Sequence, residues 1–511
     1  MVNTVGDSDD NAGLHAYLQR VDRRSFHLLA GFDPTDSIET LRTLAAPQCN
    51  EAGVRAEHDR LRQAHSPAEQ ERTRRRLRAR GSGLIADRTR AAGERVRARQ
   101  AAATVSIGAK THAFAAVPTV FGRLADPRDR RALSAAYCSE AETMQNDLAD
   151  LWRQRQQIAI DLGYRSYGDA YAQWKGLDLA GIAALARATL TATESAYRAE
   201  LAEQLERHAG LDVPDYQQCD TAYLFRGVQW DDYFPAASLR PVTTDAALRL
   251  GLDLNATPGL NIDLEARPGK ASRPACIAVA VPEEIHIVAL PGGGHRDYEA
   301  LLHELGHAAH FVLADDSLPW EQRCLPDDSV AEAVAYLFGG LLMEPGFLGR
   351  TVGMPAAVAH DFTRYARFLE CAMVRRYCAK TLYEIEAFEA GDFPATTNRY
   401  AELLRDATGA QTPPQLALSD TDPGLYSVQY LTAWFLAAQL RQRLVRDFGP
   451  SWYADTAAGS TLQTIWRRAN AHTTGSFLAD AAGASSLDWM PLYASLMPFD
   501  RQSRQPEGTM A

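Results

Sequence analysis

The segment EALLHELGHAAHF carries two histidines four residues apart, His303 and His307, with Glu304 beside the first. On a helix these two imidazoles stand one turn apart on a single face, where one divalent ion accepts a nitrogen from each. Leucines and alanines recur around them at helical period, and two short apolar runs precede them. This context favours HExxH as a metal motif over a pair of satisfied histidines next to a surface glutamate. Glu304 is then suited to take a proton from a water that the ion activates. The chemistry expected of the set is metal-assisted hydrolysis with one Zn2+ per chain.

A zinc site of this kind needs a third protein ligand and leaves its fourth position open. His310 shares the helix face, but it lies about 4.5 Å further along the axis than His307, whereas the ion sits between His303 and His307. The longer motif HExxHxxGxxH is absent, with His310 at its glycine and Leu313 at its third histidine. Glu332, in DDSVAEAVAYLFGG, is a carboxylate on the first turn of a second predicted helix. Its bland alternative is a capping box, Ser329 to Glu332, which would only satisfy the helix start. Glu321 and Glu344 are further carboxylates nearby.

The elements that must position these groups are mostly helical. Residues 14–211 are rich in Ala, Arg, Glu, Gln and Leu, strong helix formers, with few prolines. The pattern breaks at 210–214, and from residue 220 Gly, Pro and aromatic residues become frequent, as in LFRGVQWDDYFPAASLRP. With 511 residues the chain exceeds the size at which one core usually stops growing. A helical N-terminal lobe, 1–215, and a catalytic region, 216–511, are therefore expected. Runs 275–281 and 285–290 read as strands joined by a turn at Pro282, Glu283 and Glu284. PGGGH at 291–295 lacks the GK[ST] ending of a phosphate loop and leads into a helix starting near Asp297. Helices are predicted over 329–343, 358–388, 399–407, 426–448 and 459–470.

Composition limits the partners. A net charge of -11 repels nucleic acid and anionic membranes at long range, and no apolar run is long enough to span a bilayer. Arginine-rich residues 71–100 read as the solvated face of long helices. No secretory signal opens the chain, and seven cysteines without CxxC or framework spacing read as free thiols of a reducing, cytoplasmic compartment. Nothing in the sequence sets an oligomeric state.

DLEARPGK at 263–270, the strand pair after it, DYEALLHELGHAAH and VAEAVAYLF together resemble the M3 family of zinc oligopeptidases, which includes oligoendopeptidase F and thimet oligopeptidase. The resemblance extends from about residue 220 to the C-terminus. It places Glu332 on the family's third ligand, and LYSVQYLTAWFLAAQL at 425–440 places Tyr426 and Tyr430 on family tyrosines. It implies a mainly α, two-lobed helical metallopeptidase with a small β-sheet beside a deep active-site channel, able to pair an extended substrate with the edge strand at 275–281. Val428 stands where a middle tyrosine is usual, and Asp420 is the nearest counterpart of a family histidine.

The mechanism implied is hydrolysis of short, unstructured peptides, with zinc on His303, His307 and Glu332 and with Glu304 as general base. Tyr426, or Tyr430 in its place, donates to the developing oxyanion. The tyrosines' competing reading is packing on an amphipathic helix. The departures motivate a second function, a biosynthetic hydrolase that acts on a specialised amide. A third is a catalytically silent helical binding protein that uses the basic region as its surface.

Overall fold

The computed structural model describes residues 5–497 and 499. The chain is mainly α-helical, with one two-stranded and one three-stranded sheet among the described residues. The alanine- and arginine-rich first part forms long helices, including α1 (Val5–Ala30), α2 (Pro67–Arg88) and α3 (Leu179–Ala209). Their limits follow local chemistry. The Ser66 hydroxyl accepts from the Glu69 amide with Pro67 in the first turn of α2, and α3 stops where Gly210 turns left-handed at φ 61°.

One element of this part escapes the helical expectation. TVSIGAKTHA forms a hairpin of β1 (Thr104–Ile107) and β2 (Lys110–Ala113). Its β-branched residues, Thr104, Val105, Ile107 and Thr111, favour strand, and Gly108 at φ 55° makes the turn.

The larger sheet contains the two expected strands, as β4 (Ala275–Ala280) and β5 (Glu284–Val288), and one more, β3 (Leu260–Asp263). The order β3-β5-β4 makes β5 central, parallel to β3 and antiparallel to β4, so β4 is an edge strand. Side chains alternate across β4. Ile277 and Val279 pack with Ala30 and Phe26 of α1, while Cys276 and Ala278 face the main core. The DLEARPGK turn before β4 is tied by Lys270, whose ammonium donates to Asp263 Oδ1 at 2.9 Å and to the Glu265 carbonyl at 2.8 Å.

Four helices then build the centre: α4 (His295–Val312), α5 (Asp328–Gly339), α6 (Ala356–Ala390) and α7 (Tyr426–Phe448). α5 packs against both α4 and α7, and α6 against α3 and α7. One continuous apolar cluster takes residues from both sides of position 215. The fully buried Arg130 and Asp220 pair across that position at 2.6 Å, an ion pair of the kind whose halving costs about 3–5 kcal/mol.

The arginines of 71–100 divide into two sets, and the solvated-face reading holds for only one. Arg88, Arg95 and Arg99 form surface pairs with Glu51, Asp150 and Asp147. Arg75, Arg76, Arg78 and Arg80 turn inward instead. Arg75 donates to the carbonyls of Leu325 and His472, Arg76 pairs with Glu321, Arg78 donates to the Pro326 carbonyl, and Arg80 donates to the Gln48 carbonyl. Guanidinium forks satisfy several buried carbonyls at once, which is why arginine can be used inside. Three of them grip the residues leading into α5.

No single helix among the described residues is long and apolar enough to cross a membrane. All seven cysteines are unpaired, four of them buried, and Cys371 and Cys378 are both packed inside α6.

Candidate metal centre

α4 begins at His295, two residues before the expected start. Asp297 lies in its first turn and accepts from the amides of Gly292 and Gly293 at 2.6 and 2.8 Å. The helix therefore reaches His303 and His307 in regular geometry, with both imidazoles half-buried on the face turned to α5. Gly306 makes that approach possible. A Cβ there would stand 2.5 Å from Ala335 Cα and 2.7 Å from the Val334 carbonyl oxygen. Backbone atoms of α5 occupy the space a side chain would need.

At the start of α5 the capping box does not form. Asp327 is the N-cap, accepting from the Ser329 amide, and Glu332 is released to face α4. Its Oε2 lies 3.3 Å from His303 Nε2 and 3.5 Å from His307 Nε2. This buried oxygen has a proper hydrogen bond to neither nitrogen. A tetrahedral ion with bonds of about 2.0–2.1 Å has donor-to-donor edges of about 3.3–3.4 Å. The spacing of the two nitrogens from the oxygen matches such edges, and the donor set of two imidazoles and a carboxylate suits a divalent ion. His303, His307 and Glu332 could thus hold a metal ion. Burial opposes ionisation of Glu332, but the two imidazoles outweigh it and hold the carboxyl well below its ordinary range. Burial likewise opposes protonation of His307, and the neighbouring Glu332 and Glu304 reverse the sign, raising its pKa above 6.5.

The rival ligands are engaged elsewhere. His310 is buried further along the helix, with Nε2 2.7 Å from Asn470 Oδ1, and burial pushes its pKa down to about 3. Glu321 pairs with Arg76, and Glu344 with Arg441.

Glu304, next on the helix after His303, is half-buried and makes no hydrogen bond or ion pair among the described residues. Its charge is felt by the Cys276 thiol of β4, the strand packed against α4, and burial and Glu304 both push that thiol's pKa well up. The edge strand therefore passes beside the carboxylate.

α7 starts where Leu425, at φ 59°, and Gly424, at φ 69°, turn the chain into Tyr426. A Cβ on Gly424 would meet the Tyr171 ring at 2.9 Å. The turn is held by Glu384, which accepts from the Asp422 amide and the Ser427 hydroxyl, while Lys380 pairs with Asp422 at 2.8 Å. Tyr426 then donates its hydroxyl to Glu332 Oε1 at 2.8 Å, and Lys175 lies 5.6 Å from its ring centroid. Tyr430 stacks edge-on with Tyr426, centroids 4.7 Å apart, and its hydroxyl has no hydrogen-bond partner among the described residues. Tyr336 of α5 lies flat on Trp434 of α7 at 4.5 Å, a contact worth about 0.5–1.5 kcal/mol beyond its buried area. Asp420 is bound up: Arg376 donates to both of its oxygens at 2.7 Å and Tyr400 donates at 2.7 Å.

No family model matches the chain, and no curated protein matches it.

Sequence reasoning missed Lys175, Asn470 and Asp327. The first two come from segments remote in sequence with no motif of their own. Asp327 had a signal, since an acidic residue at the end of a proline-marked turn is as good a cap as Ser329.

Proposed function

We propose that the protein is a zinc-dependent hydrolase acting on the amide bonds of short, unstructured peptides. The observation that carries this reading is the orphaned Glu332 oxygen set at tetrahedral-edge distance from two imidazole nitrogens, next to an unpartnered carboxylate, Glu304. Zinc held by His303, His307 and Glu332 would supply Lewis acidity, lowering the pKa of water and polarising the scissile carbonyl. Glu304 takes the proton from the attacking water and returns it to the leaving amine, which suits a carboxylate without any competing partner. Tyr426 holds Glu332 in place through its hydroxyl, and Tyr430, whose hydroxyl is uncommitted, donates to the developing oxyanion. An extended substrate lies along β4, whose open edge offers backbone hydrogen bonds without demanding particular side chains.

Asp420 favours a second reading. The resemblance sets it nearest a family histidine, and here it is a carboxylate neutralised by Arg376 and Lys380, a departure that fits a hydrolase narrowed to one specialised amide. The zinc-loaded protein, incubated with a mixed peptide library with and without chelator, separates the readings. Broad, chelator-sensitive cleavage lost in Glu304→Gln at undiminished zinc content supports the first. Substantial turnover in zinc-loaded Glu304→Gln would remove the assigned base.

A further inference from the structure

A cavity of about 470 Å³ takes Ala372, Met373 and Arg376 of α6 into its wall. Natural interiors leave few voids larger than a water molecule, and this volume falls among those of small-molecule sites, about 300–1,000 Å³. Its walls are dominated by rings, among them Phe114, Phe121, Tyr137, Tyr197, Phe225 and Tyr400. Two of the tyrosine hydroxyls in the wall are already used: Tyr197 donates to the Thr408 carbonyl at 2.8 Å and Tyr400 to Asp420 at 2.7 Å. These two residues offer carbon, not oxygen, to an occupant. Among the described residues, the ionised groups in the wall are Arg376 and Asp420, which cancel each other through two hydrogen bonds of 2.7 Å. An ionised ligand would gain no counter-charge there and would lose its hydration. A flat, uncharged ring system would gain both burial and ring-to-ring contact.

The cavity is placed to communicate with the metal centre. Leu369, Glu370 and Met373 of α6 line a small pocket that also includes His303, and Met373 together with Ala372 and Arg376 lines the large one. Met373 is the residue common to both walls, and an unbranched thioether side chain shifts between rotamers at low cost.

We propose that this cavity is a binding site for an uncharged aromatic group carried by the substrate of the metal centre, reaching past Met373. The assignment to a substrate rests on the hydrolase reading; the binding chemistry of the cavity does not. Full-length protein is titrated with neutral N-phenyl-1-naphthylamine and compared with Ala222→Trp, which fills the cavity from one wall, and Thr412→Trp, which fills it from a loop on another. Circular dichroism checks that each variant folds. In parallel, a short peptide is assayed with a single naphthylalanine moved along it. One probe should bind per chain, at least tenfold more weakly in both variants, and one naphthylalanine placement should lower KM at least tenfold relative to alanine, an advantage lost in the variants. Absence of saturable binding, or binding that both folded variants retain, overturns the inference whatever the hydrolysis results. Probe binding lost in the variants, with no peptide cleaved, upholds the aromatic site and sinks the hydrolase reading. Cleavage without any naphthylalanine advantage overturns the link between cavity and substrate.

Discussion

Tyr426→Phe tests how the metal centre is held. The substitution keeps the ring in its place between Lys175 and Tyr430 and removes one oxygen, the one that donates to Glu332 Oε1 at 2.8 Å. A hydrogen bond to a charged acceptor contributes about 1.5–3 kcal/mol, and partners that orient metal ligands are worth about 10–100-fold in affinity. Zinc affinity should therefore fall about 10–100-fold, or about 1.4–2.7 kcal/mol. Competition against a zinc-binding indicator measures this directly. Thermal unfolding in saturating zinc should show the same loss, because metal stabilises the folded state in proportion to the logarithm of its affinity. Tyr430→Phe is the comparison: its hydroxyl touches no ligand, so zinc affinity should hold while kcat falls about 10²–10³-fold, as expected for loss of an oxyanion donor. The reasoning is refuted if Tyr426→Phe binds zinc as tightly as the parent. If its kcat also collapses, Tyr426 is the oxyanion donor and Glu332 needs no strap.

Glu332→Ala should strip zinc, whereas His310→Ala should leave zinc content unchanged, because His310 lies further along α4 and its ring is bonded to Asn470; metal analysis after dialysis decides. Gly306→Ala should weaken zinc binding and lower the melting temperature despite alanine's better helix propensity, because the added methyl meets Ala335 Cα at 2.5 Å and the α5 backbone must retreat with Glu332; titration and melting on one sample check both. Acidification should release zinc earlier than an ordinary imidazole would. The raised His307 pKa means that protons compete for Nε2 from a pH above 6.5 downward, so affinity should decline through that window, as metal titrations across pH would show.

Much of the centre was legible because its information is local. The spacing of His303 and His307 sets one helix face, and axial rise alone argues against His310. The strand pair announced itself through β-branched residues around Pro282. Helix α7 coincides with the apolar stretch 426–448. What stayed hidden depends on chain segments meeting. β3 is four residues long and gains its identity only by pairing with β5. The hairpin at 104–113 was masked by strongly helical neighbours. The choice between Glu332 as cap or as ligand was open in sequence because both uses need a carboxylate in the first turn; Asp327 takes the cap, which leaves Glu332 free to face His303 and His307. Arginine runs read as surface on statistics; here α2 uses them to satisfy carbonyls of loops hundreds of residues away.

Those inward arginines bear on the order in which the molecule matures. α2 leaves the ribosome long before the histidines exist as a pair, so Arg75, Arg76 and Arg78 wait in water until residues 321–328 arrive to meet them. Only then is the start of α5 clamped and Glu332 aimed, and the hydroxyl that steadies it follows some hundred residues later still. A nascent or truncated chain ending before Tyr426 owns His303, His307 and Glu332 but lacks the hydroxyl that donates to Glu332. Tight retention of an ion at His303, His307 and Glu332 would thereby belong to the finished product, and a half-made chain would have little means of sequestering one.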